Sequence, residues 1–197
     1  GKRRELVAED YVYSIKRILD PKNHAPSFSF IDNKLVGANA LVDQANKTGH
    51  FNYDAKIEGV KALDKYTIQF KLTQPDYNFP YILAYSTFGA TAREVVEYYK
   101  DQLGMHPVGT GPYMLSRYVP RSKIELVANP DYRGFVWNFK STGTAWDNQL
   151  IKQMSGKPMP QIGKVNISII EEEQSRWLAF QSKQLDFDTL TSSAIPK

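Results

Sequence analysis

The sequence predicts a mixed fold, α+β in its first half and α/β in its second half. Three patterns predict it: an amphipathic helix at the start, two stretches of hairpin-like alternation, and a strand–helix–strand order near the end. The last pattern is typical of a βαβ unit with a parallel strand pair. With 197 residues, the chain can hold one domain or two small ones.

The first predicted helix covers residues 5–19. Its acidic first turn and basic last turn suit the helix dipole, and Asp20-Pro21 ends it. Val7 stands where a Ser, Thr or Asp cap is expected, so the start is poorly specified. One face carries the apolar residues at helical spacing: Ala8, Tyr11, Val12, Ile15, Ile18 and Leu19.

Residues 22–33 form a predicted loop that carries Phe28 and Phe30. A second helix is predicted over residues 34–47, and Thr48-Gly49-His50 ends it. Its inward residues are Leu35, Leu41 and Val42.

A hairpin is predicted at 60–64 and 66–72, because apolar and polar residues alternate in the second segment. Two further helices follow at 78–85 and 92–103. The second of these places Val95, Val96, Tyr99 and Leu103 inward.

The run from Pro107 to Tyr132 is the most regular pattern in the chain. A Gly-rich turn leads into alternating segments at 113–119 and 123–128, which are separated by Pro120-Arg121-Ser122. These features predict a second hairpin. In its second strand, one face carries Ile124, Leu126 and Ala128.

Residues 134–163 show no regular spacing of apolar residues, and we predict a long loop there with one helical turn around 146–154. A strand over 164–170, a helix over 171–184 and a strand over 185–190 complete the chain. Trp177, Leu178 and Gln181 are expected to begin the buried face of that helix. We interpret Tyr11, Tyr13, Tyr85 and Trp177 as packing residues.

The composition is that of an ordinary globular protein. The net charge is +4 and the charges are spread evenly, which argues against a nucleic-acid partner. Cysteine is absent, so disulfides, thiolate metal sites and Cys nucleophiles are excluded. No signal peptide and no apolar run of membrane-spanning length is visible. The abrupt start suggests a piece of a longer protein.

No motif indicates catalysis, a metal site or a cofactor. The run Val108-Gly109-Thr110-Gly111-Pro112 lacks the Lys of a P-loop and the spacing of a dinucleotide-binding turn. Three acids at 171–173 suit a helix start, and no Ser lies in a nucleophile elbow. The three histidines have no ligand-like spacing: His24, His50 and His106.

Four stretches in order resemble blocks of one family. They are ELVAEDYVYSIKRILDP (5–21), GVKALDKYTIQFKLTQP (59–75), the run 107–132, and RWLAFQSKQLDFD (176–188). The family is the family 5 extracellular solute-binding proteins, which includes the oligopeptide-, dipeptide- and nickel-binding components of ABC importers. Val7 departs from the family pattern, and Arg121 and Lys183 stand where a turn glycine is common.

The resemblance implies a fragment of the first lobe of a type II periplasmic-binding-protein fold. Residues 1–104 would form an accessory α+β subdomain. Residues 105–197 would form part of the ligand-facing α/β lobe, which is discontinuous in the parent. The opposing lobe would lie outside this chain.

The implied function is capture of a small ligand between two lobes and its delivery to an ABC permease in the membrane. Peptide is the favoured ligand, while sugar, opine, haem and metal chelate stay open. No enzyme activity is implied. The alternatives are a peptide-acting hydrolase and a basic nucleic-acid module. The implied location is periplasmic or extracellular, with anchoring as a lipoprotein left open.

Phe28 and Phe30 are the candidate ligand-binding residues. In the resembling peptide-binding proteins, the loop after the helix that ends in Asp-Pro brings an aromatic side chain to the ligand, and Phe30 falls near that position with Phe28 beside it. The alternative is that both rings are core residues beneath the loop.

Overall fold

The computed structural model describes residues 4–189. The chain divides into two compact units, one that ends at Gly109 and one that begins at Thr110. That these units correspond to the accessory subdomain and the ligand-facing lobe remains a prediction.

The first unit combines helices with a two-stranded sheet. Its α-helices are α1 (Ala8–Leu19), α2 (Ala38–Thr48), α3 (Phe79–Leu83) and α4 (Arg93–Tyr99). Strands β1 (Val60–Ala62) and β2 (Ile68–Phe70) pair antiparallel, as the alternation predicts, but are shorter than expected. Short 3-10 helices lie at Pro21–Asn23, Pro26–Phe30, Ser86–Phe88 and Lys100–Met105.

Helix α1 begins at Ala8 instead of at the predicted Glu5, with Val7 as its N-cap. One acceptor from elsewhere in the chain and one from the helix itself satisfy its start. The Ala8 N–H donates to the Lys65 carbonyl at 2.8 Å, and the Val7 N–H donates to the carboxylate of Asp10 in the first turn at 2.8 Å. A long-range hydrogen bond therefore helps to define a helix start that lacks a Ser, Thr or Asp cap.

The core of the first unit lies between α1, α2 and the small sheet. Helix α2 begins at Ala38 and not at the predicted residue 34, but the predicted inward residues are buried, Leu41 and Val42 in α2 and Leu35 ahead of it. On α1 the predicted face is buried except for Tyr11, which is partly exposed, while Tyr13 is also buried. Helix α2 ends where predicted, because Gly49 adopts a left-handed conformation (φ 68°) and its N–H donates to the Ala45 carbonyl.

The second unit is built on a three-stranded antiparallel sheet. Strands β3 (Tyr113–Val119) and β4 (Lys123–Ala128) have the predicted bounds, with Tyr118 opposite Ile124. Strands β5 (Phe135–Val136) and β6 (Pro158–Met159) flank helix α5 (Ala145–Met154). Strand β7 (Lys164–Ser168) pairs with β4, giving the order β3-β4-β7, and helix α6 (Glu173–Gln181) follows.

The predicted βαβ unit is wrong for the described residues. Strand β7 pairs antiparallel with β4, and residues 185–189 form no strand; Leu190 lies outside the described residues. Instead, Asp188 accepts a hydrogen bond from Arg176 Nε at 2.9 Å, which holds this segment to α6. The strand–helix–strand order indicated a parallel pair, but the order of elements along the chain does not fix which strands pair.

The second unit has no fully buried residue between 110 and 189. The predicted buried face of α6 is wrong at Leu178 and Gln181, which are exposed, while Trp177 is partly buried. Apolar side chains of the sheet, such as Ile124 and Leu126, keep partial exposure. The hydrophobic core of the described residues therefore lies in the first unit.

Candidate functional site

The candidate site lies in the connection that follows α1. Asp20 ends the helix and caps the 3-10 helix Pro21–Asn23, because its carboxylate accepts the Lys22 N–H at 3.0 Å. The second 3-10 helix, Pro26–Phe30, carries both candidate phenylalanines. Proline stands at the first position of each, where its fixed φ suits a helical turn.

The two phenylalanines occupy different environments. Phe28 is partly buried and packs against the core, to which Ile31, the C-cap of the same 3-10 helix, also belongs. Phe30 remains 41% exposed. The alternative of two core residues therefore describes Phe28 but not Phe30; ligand contact by either remains a prediction.

The ring of Phe30 meets the ring of Tyr85. Their centroids are 5.6 Å apart and the ring planes cross at 72°, an edge-to-face pair. Tyr85 follows α3 and is itself 56% exposed. We interpreted Tyr85 from the sequence as a packing residue. The structure makes it half of an exposed aromatic pair.

Phe28 also lines a half-open cavity of about 270 Å³. Val42 contributes an apolar wall, while Asp20, His24 and Asn46 contribute polar groups. The cavity lies between the end of α1, the 3-10 helices and α2. Its size and mixed lining suit a small group and not a whole drug-sized ligand.

Both carboxylate oxygens of Asp20 already accept hydrogen bonds from other residues of the chain. The second oxygen accepts the Tyr53 hydroxyl at 2.7 Å, and Asp20 is 7% exposed. Burial raises the pKa of Tyr53 well above its ordinary value, and the hydrogen bond to Asp20 adds to the rise. The phenol therefore stays a donor at neutral pH. Both oxygens of Asp20 support the fold beneath the candidate site.

The other motifs have structural roles. The Gly-rich turn leads into β3. Asn129 stabilises this turn, because its side-chain amide donates to the Gly111 carbonyl at 2.9 Å. Glu172 caps α6, accepting the N–H groups of Gln174 and Ser175 at 3.0 and 2.5 Å. Within residues 4–189, no cluster of His, Asp and Glu side chains could hold a metal ion.

The family model described as "Bacterial extracellular solute-binding proteins, family 5 Middle" matches residues 3–197. The chain belongs to this family. The predicted resemblance is therefore confirmed over nearly the whole chain.

Curated relatives of this family 5 chain include two named for peptides. The "Peptide transport periplasmic protein SapA" of Haemophilus influenzae is 32% identical over 66% of this chain and 25% of its own length. The "Di/tripeptide-binding protein 2" of Pseudomonas aeruginosa is 30% identical over 66% of this chain and 23% of its own length. The chain thus spans about a quarter of the length of these relatives.

Solved structures share the fold. The Escherichia coli murein tripeptide binding protein MppA matches with a TM-score of 0.68 and 24% identity, over 93% of this chain and 31% of its own. Haemophilus influenzae OppA in complex with RPPGFSPFR matches with a TM-score of 0.66 and 22% identity, over 92% and 30%. These matches confirm the predicted type II periplasmic-binding-protein fold, in which helices and sheets are mixed. In the part of the chain that the structure describes, no helix is long and apolar enough to cross a membrane.

Proposed function

We propose that this chain is part of the substrate-binding component of an ABC importer, which captures a peptide and delivers it to a membrane permease. The family match over residues 3–197 carries the proposal. Because the chain spans only about a quarter of its relatives' length, the proposal concerns the whole protein of which it would be one segment.

Peptide is the favoured ligand because several relatives are named for peptides or for glutathione, itself a tripeptide. Another relative is named as a probable deoxycholate-binding protein, so similar proteins are also named for small ligands other than peptides. An exposed aromatic side chain such as Phe30 provides rigid contact area for a peptide, at a low cost in side-chain entropy.

The mechanism would be binding without chemistry. Two lobes close around the ligand and open to release it at the permease, so the free energy of ligand contacts drives the closure. Acidic groups of the second unit already serve the fold: Glu172, one of the three acids at 171–173, caps α6, and Asp188 pairs with Arg176. A periplasmic or extracellular location follows from this role.

We assign different roles to the two phenylalanines. Phe30 would contact the ligand, and Phe28 would anchor the 3-10 helix that carries it. In the whole protein, Phe30→Ala is expected to weaken peptide binding about 10-fold, corresponding to about 1.4 kcal/mol, with little loss of stability. Phe28→Ala is expected instead to lower the free energy of unfolding by about 2–4 kcal/mol. Isothermal titration calorimetry and chemical unfolding separate the two effects.

Native mass spectrometry of the whole protein tests the function itself. Peptides of intact mass are expected to co-purify with it and to exchange with an added peptide library. Cleaved library peptides after incubation would support the peptide-acting hydrolase instead. Steeply salt-dependent binding of DNA or RNA would support a nucleic-acid module. The isolated chain is expected to bind peptide far more weakly, since a two-lobe site loses most of its contacts without the opposing lobe.

A further inference from the structure

The first unit carries a row of exposed aromatic rings that the candidate site uses only in part. Tyr85, Tyr81 and Tyr77 are 56%, 79% and 93% exposed. Tyr81 lies in α3, Tyr77 precedes the helix and Tyr85 follows it. Together with Phe30, these residues form what we call the aromatic surface.

Buried neighbours and backbone hydrogen bonds fix the segment that carries the tyrosines of the aromatic surface. Phe79 and Phe88 flank the segment and are 5% and 3% exposed, as part of the core. The Tyr85 N–H donates to the Ile82 carbonyl at 3.0 Å, and the Tyr85 carbonyl accepts the Phe88 N–H at 3.0 Å. Burial of Phe79 and Phe88 therefore directs the tyrosines outward on a fixed support, which limits the entropy that a ligand contact would cost.

The two segments that carry the surface have no charged side chain. Residues 25–31 and residues 77–92 contain no Asp, Glu, Lys, Arg or His, in a chain whose charged residues make up 23%. A charged ligand group would find no opposite charge on these segments. These two segments therefore offer contacts for an uncharged side chain and no ionic partner of their own.

The geometry of Phe30 and Tyr85 narrows the choice further. Two rings that cross at 72° with centroids 5.6 Å apart form a corner. A third ring can lie against the face of one and the edge of the other, which is how aromatic side chains prefer to pack. Both rings keep large exposed areas on which it could rest.

We propose that Tyr85 acts with Phe30 as a specificity-determining contact, which receives an aromatic side chain of the captured peptide. This inference rests on the proposed function and adds to it a residue and a side-chain preference. The occupant is the ligand and not another part of the protein, because the ring of Tyr85 contacts Phe30, the candidate ligand contact.

The test uses the whole protein and defined peptides. Tetra-alanine is compared by calorimetry with peptides in which one alanine at a time is replaced by Phe or by Glu. Wild type is expected to bind at least one Phe peptide about 10-fold more tightly than tetra-alanine, a ratio typical of one good aromatic contact. The matching Glu peptide gains nothing.

Variants then assign the preference to Tyr85. Tyr85→Ala is expected to reduce the Phe-over-Ala ratio to within about twofold, while Tyr85→Phe keeps it. Tyr98→Ala is the matched control, because Tyr98 is 79% exposed in the same unit and its ring meets that of Tyr99 edge-to-face instead. It should leave the ratio unchanged.

Three results would overturn the inference. Tyr85→Ala could weaken the binding of all peptides equally, or change the affinity of none. Either outcome would exclude a role of Tyr85 in selecting the peptide side chain. It could lower the unfolding temperature while keeping the ratio, which would mean that the surface packs against another part of the protein. If wild type binds none of the peptides, the proposed function falls and the inference falls with it.

Discussion

Gly59 shows how strongly a single residue is constrained by close backbone approach. A Cβ at this position would lie 2.4 Å from the Val36 nitrogen and 2.8 Å from the Leu35 carbonyl carbon. The Gly59 N–H donates to the Val36 carbonyl at 2.7 Å, and its carbonyl accepts the Lys71 N–H at 3.0 Å. Only glycine lets the two chain segments lie this close.

Gly59→Ala is therefore expected to destabilise the chain by about 2–4 kcal/mol, because the backbone must move apart and weaken both hydrogen bonds. Gly104→Ala is the matched control, since a methyl group added there would meet nothing within 4 Å and the φ of Gly104 is not positive. The control should change the free energy of unfolding by less than about 1 kcal/mol. Equal effects of the two substitutions in urea titrations would contradict the close-approach explanation.

Tyr53 couples stability to alkaline pH. Burial, and then the hydrogen bond to Asp20, raise the pKa of Tyr53 in the folded chain above its ordinary value near 10. The unfolded chain therefore loses the phenol proton first as the pH rises. The stabilisation is complete below about pH 10 and is lost as the pH rises towards the folded pKa.

Tyr53→Phe should lower the free energy of unfolding by about 1–3 kcal/mol at pH 8, because Asp20 loses a donor. The gap between wild type and variant should narrow above about pH 10, where the wild type loses this contribution. Tyr77→Phe is the control, since Tyr77 is 93% exposed. A gap that stays constant from about pH 8 to about pH 11 would show that the Tyr53 proton is not linked to folding.

The β3–β4 hairpin was predicted best among the elements, because its strands and its turn are specified locally. Alternation marked both strands, and Pro120-Arg121-Ser122 marked the turn. The family resemblance suggested that Arg121 and Lys183 replace turn glycines, and both residues adopt positive φ, 58° and 62°. Each is a left-handed conformation that an ordinary side chain adopts at a cost.

Arg121→Gly is expected to stabilise the hairpin by about 0.5–1 kcal/mol, since relief of the left-handed conformation outweighs the extra freedom of glycine in the unfolded chain. Ser122→Gly in the same turn lacks that relief, because Ser122 is not among the residues with positive φ, and it should destabilise by about 0.5–1 kcal/mol. Thermal unfolding of both variants checks the prediction. Destabilisation by Arg121→Gly would refute it.

At the scale of the whole molecule, the two units differ in how they bury apolar surface. The first unit has a continuous core that includes Ile15, Leu19 and Leu35. Every residue of the second unit between 110 and 189 keeps partial exposure. Apolar burial is the main source of stability, so the two units should resist opening to different degrees.

Hydrogen exchange of the chain by itself should therefore divide at the unit boundary. Amides of α1 and α2 are expected to exchange slowest, at rates set by global unfolding of the first unit. Amides of β3, β4 and β7 should exchange faster by about tenfold or more, although they are hydrogen-bonded in the sheet. Equal protection in both units would mean that the second unit is stabilised by something other than apolar burial.

The sequence by itself determined the features that depend on neighbouring residues. The spacing in α1 defined most of its buried face, alternation defined β3 and β4, and Gly49 ended α2. Four ordered blocks identified the family. The helix face, the strands and the helix end follow from local periodicity and turn chemistry, whereas the family came from the resemblance of those four blocks.

Only the tertiary structure decided which elements meet. It paired β7 antiparallel with β4, and it started α1 at Ala8 through a bond to the Lys65 carbonyl. It turned Phe28 towards the core and left Phe30 exposed beside Tyr85. Tyrosines at four-residue spacing in an uncharged stretch were visible in the sequence, but not their neighbour. A contact between residues far apart in the chain depends on how whole elements pack, which no local pattern specifies.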